Sequence, residues 1–418
     1  MRSLPGPVAS QTSSARPGWA NLGGVSTSEA AVVLGAGYAG LRVAHEIRRK
    51  SRRQIPVVLV DRHPFSVLRT ELYRVADLAG VERDRAEWVV PLSDIETRKG
   101  IEFREGEVES VDFVAKQVGL RDGQIAFGQL VIALGSEVAY YGVPGAKEHT
   151  YQVYRLGEAI RLAEALKALE SRFAYEGRPE SPHIVVVGGG STGTEVAADI
   201  ATADWSKVTG TPAPRPRVTL VCGELPLLVG FSEGLIFHAR RLLGKAKVTL
   251  NEGVNVTSVS GNEIHLRDGT VLQSDLCVWA AGIQATALVR GLNVPHGHGG
   301  RIAVRPTLEV PDHPGVFSLG DSADVVDPAT GLAIPAMAQV AIREAPIVAA
   351  NVVARRTNQP LLPFVYRQRG SIVAVGGGQA AGEVRRITIW GRPAALLKAA
   401  VQQDVRIAQR QRIRPPGI

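Results

Sequence analysis

One pattern, written twice, does most to limit what this chain can fold into. Residues 30–40 read AAVVLGAGYAG and residues 183–193 read HIVVVGGGSTG, so an apolar run breaks both times into glycines spaced G-x-G-x-x-G. After the first, LRVAHEIRRK carries helical periodicity, and PVVLV supplies a second apolar strand ending at Asp61. That is a βαβ unit of about 30 residues with an acid about 20 residues beyond its last glycine, the full fingerprint of a dinucleotide cradle. Gly35 allows the tight turn, Gly37 lets the backbone approach a pyrophosphate, and Gly40 lets helix and strand pack closely. The N–H groups at the helix start meet the phosphates, and Asp61 can accept from both ribose hydroxyls.

The second unit repeats the spacing with Gly188, Gly190 and Gly193, and its helix runs through EVAADIATAD. Its return strand, RVTLV, follows a Pro-rich loop and ends at Cys222, where the first unit has Asp61. A thiol cannot chelate a ribose diol. Either Glu224, two positions on, reaches back, or the site discriminates weakly between NADH and NADPH. Between the units, Leu156, Ile160, Ala163, Leu166 and Leu169 predict an amphipathic helix over 155–171, ended by GRPESP. A chain that holds two dinucleotides can pass a hydride between them, and a resident flavin with a visiting nicotinamide is the economical pairing.

The rest of the chain removes other classes. Cys222 and Cys277 form no CxxC, so no local dithiol carries redox chemistry, and no metal site is expected. The formal charge is +8, but from Arg385 to the end eight basic residues face one acid, leaving the body near neutral. A basic tail on a balanced body points to an anionic surface rather than to nucleic acid. No apolar run reaches the length of a spanning helix, and residues 1–29, rich in Ser, Pro and Gly, read as a disordered extension. From Pro393, Leu397, Val401 and Val405 form one helical row, while Lys398, Gln402, Arg406, Arg410 and Arg414 form the other flank. This basic amphipathic helix is expected either to lie on a membrane with its cations on anionic headgroups, or to pack on the protein itself or on a partner in a homodimer.

GAGYAG with Asp61, LVIALGS at 130–136, GGGSTGTE, DLCVWAAGI at 275–283 and FSLGDSAD at 317–324 occur in this order. Together they resemble the two-dinucleotide-domain flavoproteins of the pyridine nucleotide-disulfide reductase type. RTELYRVADLAG at 69–80 and AMAQVAIREAPIVAANV at 336–352 resemble the type II NADH dehydrogenases among them, single-chain NADH:quinone oxidoreductases that pump no protons.

That resemblance implies an α/β fold of two Rossmann-like dinucleotide-binding domains plus a C-terminal membrane-associating segment. An FAD domain over 30–150 and 290–365 would enclose an NAD(P)H domain over 151–289, with a hairpin and the basic helix in 366–418. FAD would be held by the first cradle, including Tyr38 and Ala39, and by Asp61, Arg62, Thr70, Val108, Ala133, Leu134, Gly135, Gly320 and Asp321. Ala281 and Gly282 would flank the nicotinamide, and Gln339 would face the quinone side of the flavin. Positions where the family often carries further glutamines hold Arg343 and Glu344. Glu195, two residues past the second cradle, is implied near nicotinamide and flavin as the proton-delivering or cofactor-positioning group. The partners implied are a quinone and the cytoplasmic face of the cell membrane, bound peripherally; a soluble reductase serving a ferredoxin-like protein is the alternative.

Overall fold

The computed structural model describes residues 29–80, 88–93, 95, 99–176, 180–210, 212, 215–223, 225–328, 330–368 and 370–413. The 1–29 extension, except Glu29, lies outside them, as do Glu224 and Arg414.

The first unit is laid down by β1 (Ala31–Leu34), α1 (Tyr38–Lys50), β2 (Val57–Asp61), β3 (Glu102–Glu105) and β4 (Gln129–Ile132). β1 is buried along its whole length, because helices and loops cover both faces of a parallel sheet; this is why its sequence is a continuous apolar run rather than an alternating one. The chain continues through α2 (Leu156–Tyr175), which runs four residues past the end its periodicity predicted, into the second unit. There β5 (His183–Val187), α3 (Ser191–Thr202), β6 (Arg217–Cys222), α4 (Glu233–Lys245), β7 (Val248–Glu252) and β8 (Leu276–Trp279) follow. β9 (Val316–Ser318) then returns to the first sheet, and α5 (Ala338–Arg356) packs along α1. The C-terminal part is a meander of β10 (Gly370–Ala374), β11 (Ala380–Val384) and β12 (Ile387–Gly391), followed by α6 (Arg392–Ile413).

Both sheets are parallel and share one topology. The first has the order β3-β2-β1-β4-β9 and the second β7-β6-β5-β8. Each strand order reverses beside the strand that ends in glycines, and ligands of such folds sit in the crevice outside the strand C-termini at that switch point. One large apolar core joins the units: α2, α3 and α4 pack with Leu68, Leu72, Val75 and Leu78 from the segment that follows β2. Among the described residues no helix is long and apolar enough to cross a membrane.

Candidate active site

The two glycine turns superpose in their chemistry. A Cβ on Gly35, whose φ is +98°, would lie 2.3 Å from Ala133 O, and one on Gly188, at φ +125°, 2.2 Å from Ala280 O. Likewise Gly40 would strike Gly35 O at 1.8 Å and Gly193 would strike Gly188 O at 1.9 Å. These four glycines are demanded by the protein's own packing. Gly37 and Gly190 are different, because a Cβ on either meets nothing within 4 Å. Each is the N-cap of its helix, and neither α1 nor α3 has a side chain capping it. The N–H groups of the first turns therefore face open space, which is what a pyrophosphate requires. Both cradles fit a dinucleotide.

Around the first cradle the structure gathers most of the expected residues. Asp61 ends β2 at the lip; its carboxylate accepts from Ala36 N at 2.7 Å and His63 N at 2.9 Å. Arg62 projects beside it toward Glu107, 3.6 Å away, and Val108 lies in the strand beyond. Tyr38, the first residue of α1, shares a 3.0 Å hydrogen bond with Thr70 Oγ1. Ala133, Leu134 and Gly135 follow β4, and Gly135 N donates to Ser322 Oγ at 2.8 Å. Gly320 is wedged between Ala39 and Ala341, its virtual Cβ 3.3 Å and 3.4 Å from theirs, so the starts of α1 and α5 converge on it. Gln339 stands in the first turn of α5, its amide near Met337 Sδ at 3.8 Å.

Asp321 has partners that the motifs did not mark. Its Oδ2 accepts from Ser136 Oγ at 2.8 Å and from Tyr154 OH at 3.1 Å. Arg69 in turn donates to Tyr154 OH at 2.8 Å and lies over its ring. Ser136 and Arg69 stand inside quoted motifs and could have been weighed; Tyr154 carries no local signal and arrives only through the fold. Beneath them Glu344 is buried, its Oε2 accepting from Gly320 N at 2.7 Å. Burial pushes that carboxyl up to about 7.

In the second cradle Ala281 and Gly282 continue from β8 against the glycine turn, Ala281 N lying 2.7 Å from where Gly188 would carry a Cβ. Cys222 is fully buried, with Sγ 2.7 Å from the virtual Cβ of Gly189. Burial pushes its thiol up to about 12, as it does that of Cys277, so both stay protonated and inert.

Glu195 is where the structure departs furthest from expectation. Its side chain is only 11% exposed and forms an ion pair with Lys398 of α6, while its Oε1 also accepts from Ala374 N at 3.1 Å. Lys398 lies 4.8 Å from the centre of the Tyr73 ring. Farther along α6, Gln402 reaches Thr70 O at 3.4 Å, Arg406 pairs with the buried Glu71 at 2.5 Å, and Gln409 bonds Ser66 Oγ at 3.0 Å. The expectation that this basic flank meets lipid headgroups is therefore corrected at Lys398, Gln402 and Arg406, which turn inward. The reason is electrostatic: Glu71 and Glu195 are withdrawn from water by the body of the protein, and a buried carboxylate holds its charge cheaply only beside a cation. The outward side of α6 exposes Leu396, Leu397, Val401 and Ile407, together with Gln403, Asp404 and Arg410.

Two cradles of this geometry, on sheets of one topology, define a known architecture, and the model of the pyridine nucleotide-disulphide oxidoreductases matches residues 29–345. The chain belongs to the pyridine nucleotide-disulphide oxidoreductase family. Among curated members it is similar to a demethylphylloquinone reductase, NdbB, of Synechocystis, with 30% identity and 87% of this chain and 89% of that one covered. It is also similar to a type II NADH:quinone oxidoreductase of Staphylococcus saprophyticus, at 25% identity over 88% of this chain and 93% of the relative. Among solved structures, NDH2 of Plasmodium falciparum in complex with NADH superposes with a TM-score of 0.78 at 16% identity, covering 92% of this chain and 97% of that one. A sulfide:quinone oxidoreductase of Aquifex aeolicus does so at 0.76 and 19% identity. At such identities the superpositions speak for the fold. They do not separate these activities, whereas the two buried, distant thiols of this family member set it apart from chemistry carried on cysteine.

Proposed function

We propose that the chain is an FAD-dependent NADH:quinone oxidoreductase, working peripherally on the cytoplasmic face of the cell membrane without pumping protons. The observation that carries this reading is α6, whose inner flank closes over Thr70, Glu71 and Glu195 while its outer face offers an exposed apolar row. A helix that covers a redox site and also presents Leu396, Leu397 and Val401 outward suits an acceptor that lives in lipid. Arg385 and Arg386 at the turn of the last hairpin and Arg392 just after it supply the positive charge that an anionic surface attracts. The curated relatives named above carry quinone or phylloquinone reduction in their names.

When bound, FAD would supply a centre able to take a hydride from NADH and pass two electrons to the quinone. Gly37 and the open first turn of α1 hold one pyrophosphate, and Gly190 and α3 hold that of the nicotinamide nucleotide, which leaves after the transfer. Asp61 would orient the FAD ribose, Asp321, itself oriented by Ser136 and Tyr154, would receive the ribityl chain, Thr70 would sit by the flavin and Gln339 at its quinone side. Ala281 and Gly282 keep the second cradle narrow enough to align the nicotinamide. Glu195, held in place by Lys398 Nζ and Ala374 N, is the proton-delivering or cofactor-positioning group. The test is an anaerobic two-step mixing experiment: NADH bleaches the flavin absorbance and a short-chain quinone restores it. Reduced flavin that a quinone does not reoxidise refutes the proposal.

A further inference from the structure

Folds of this type choose between NADH and NADPH by what faces the adenosine ribose. A carboxylate accepts from the 2′-hydroxyl, or a cation takes the 2′-phosphate. The strand end that usually supplies the carboxylate here holds Cys222, buried and uncharged. One strand over, paired in register with it, stands Glu252 at the end of β7. Neighbouring strands lie about 4.8 Å apart, so a carboxylate at 252 stands beside the place where one at 222 would be.

Glu252 is tied to a cation. Its Oε1 accepts from Arg240 Nη2 at 2.7 Å and from Leu227 N at 2.9 Å. Arg240 projects from α4 near enough to Cys222 to influence its thiol, and its buried Nε has no partner among the described residues. Leu227 belongs to the turn that leads the chain from Cys222 back across the cradle, where Leu228 N donates to Gly189 O at 2.9 Å. The guanidinium that a 2′-phosphate would require is thus present at the ribose end of the cradle, and an internal carboxylate already occupies it.

We propose that the Arg240–Glu252 pair sets the nucleotide preference of the second cradle: Glu252 replaces the missing strand-end acid and withholds Arg240 from a 2′-phosphate. This rests on reading that cradle as the nicotinamide nucleotide site. Glu252 Oε2 remains to accept from a ribose 2′-hydroxyl, whereas a 2′-phosphate would meet a like charge and would have to displace it from Arg240. Arginine binds phosphate by paired, charge-assisted hydrogen bonds, so releasing it changes affinity by about tenfold or more.

Calorimetric titration of the full, FAD-loaded chain with ADP-ribose and with 2′-phospho-ADP-ribose tests this without turnover. The wild type is expected to bind ADP-ribose more tightly by about tenfold or more. Glu252→Gln, which keeps an acceptor for Leu227 N, is expected to gain about tenfold for the 2′-phosphorylated ligand and to lose a little for the other. Adding Arg240→Met is expected to abolish the gain. An unchanged ratio in Glu252→Gln, or a gain that survives loss of Arg240, overturns the proposal. If Glu252→Gln does not fold, Glu252→Asp, which draws the carboxylate back from Arg240, is expected to shift the ratio in the same direction, and no shift there overturns it equally. A wild type that binds neither ligand would refute the nucleotide reading of the cradle itself, a result distinct from an unchanged preference.

Discussion

Replacing Lys398 with methionine keeps most of the stem of the side chain and deletes its charge. Glu195, 11% exposed, is then left with Ala374 N as its remaining partner. Removing one member of a buried pair costs on the order of 3–5 kcal/mol when the survivor is fully withdrawn from water. Slight exposure on both sides, 11% and 13%, argues for the lower end, about 3 kcal/mol. Glu195→Gln strands an ammonium that still has the Tyr73 ring, at a cost of about 2 kcal/mol. The double variant buries no charge, so it should cost about 2 kcal/mol rather than the summed 5, a coupling of roughly 3 kcal/mol. The cost should appear first in the docking of α6, shifting its docking equilibrium by about a hundredfold, because Lys398 is one of the side-chain contacts that hold that helix. Urea unfolding of the four proteins gives the energies, and limited proteolysis around β12 reports on α6 directly. Single-variant effects that simply add, or an α6 as protected in Lys398→Met as in the wild type, would refute the claim that this pair clasps the helix to the site.

Gly190→Ala is expected to leave the melting temperature unchanged while weakening NADH binding by about tenfold or more, because the new methyl meets only the space meant for phosphate. Gly193→Ala, driven against Gly188 O, should instead destabilise the fold; thermal melts beside NADH titrations distinguish the two. Glu170 is fully buried, neither oxygen has a partner among the described residues, and burial pushes its carboxyl from 4.5 up to about 7. Its folded pKa lies above its unfolded one, so its contribution is fully present below about pH 4.5 and is lost as pH rises through 7, about 3 kcal/mol in all. Glu170→Met should therefore stabilise the protein by about that much at pH 8 and far less at pH 5, and an equal gain at both pH values would show the carboxyl is not the cause. Leu396→Glu with Val401→Glu should release the protein from lipid vesicles while leaving NADH reduction of the flavin intact, since both side chains point away from the body; undiminished sedimentation with vesicles would rule out the apolar row as the contact.

Much of the site was legible because its chemistry is local. A glycine turn between a strand and a helix is complete within a dozen residues, so Gly35, Gly37 and Gly40, and again Gly188, Gly190 and Gly193, announced both cradles before any tertiary contact was known. Asp321 entered only through the family resemblance that LGD carries, since an Asp after Gly by itself reads as a turn. Its orienting group Tyr154 was not legible, since 167 residues separate the two and neither neighbourhood hints at the other. Glu252 was equally silent: nothing around NEG marks it, and its meaning comes from pairing in register with Cys222 across two parallel strands.

The C-terminal helix shows where the sequence stops deciding. Its period of 3.6 dictates that α6 has an apolar side and a basic side, because side chains four apart share a face in any α-helix. Nothing in that period says which side turns inward. The choice belongs to Glu71 and Glu195, two carboxylates supplied by segments hundreds of residues upstream and buried by the packing around them. A buried carboxylate left without a cation is costly, so the basic flank is drawn in beside Glu71 and Glu195 and the leucines are left outside. Local pattern made the helix and both cradles; long-range electrostatics chose how the helix lies across them.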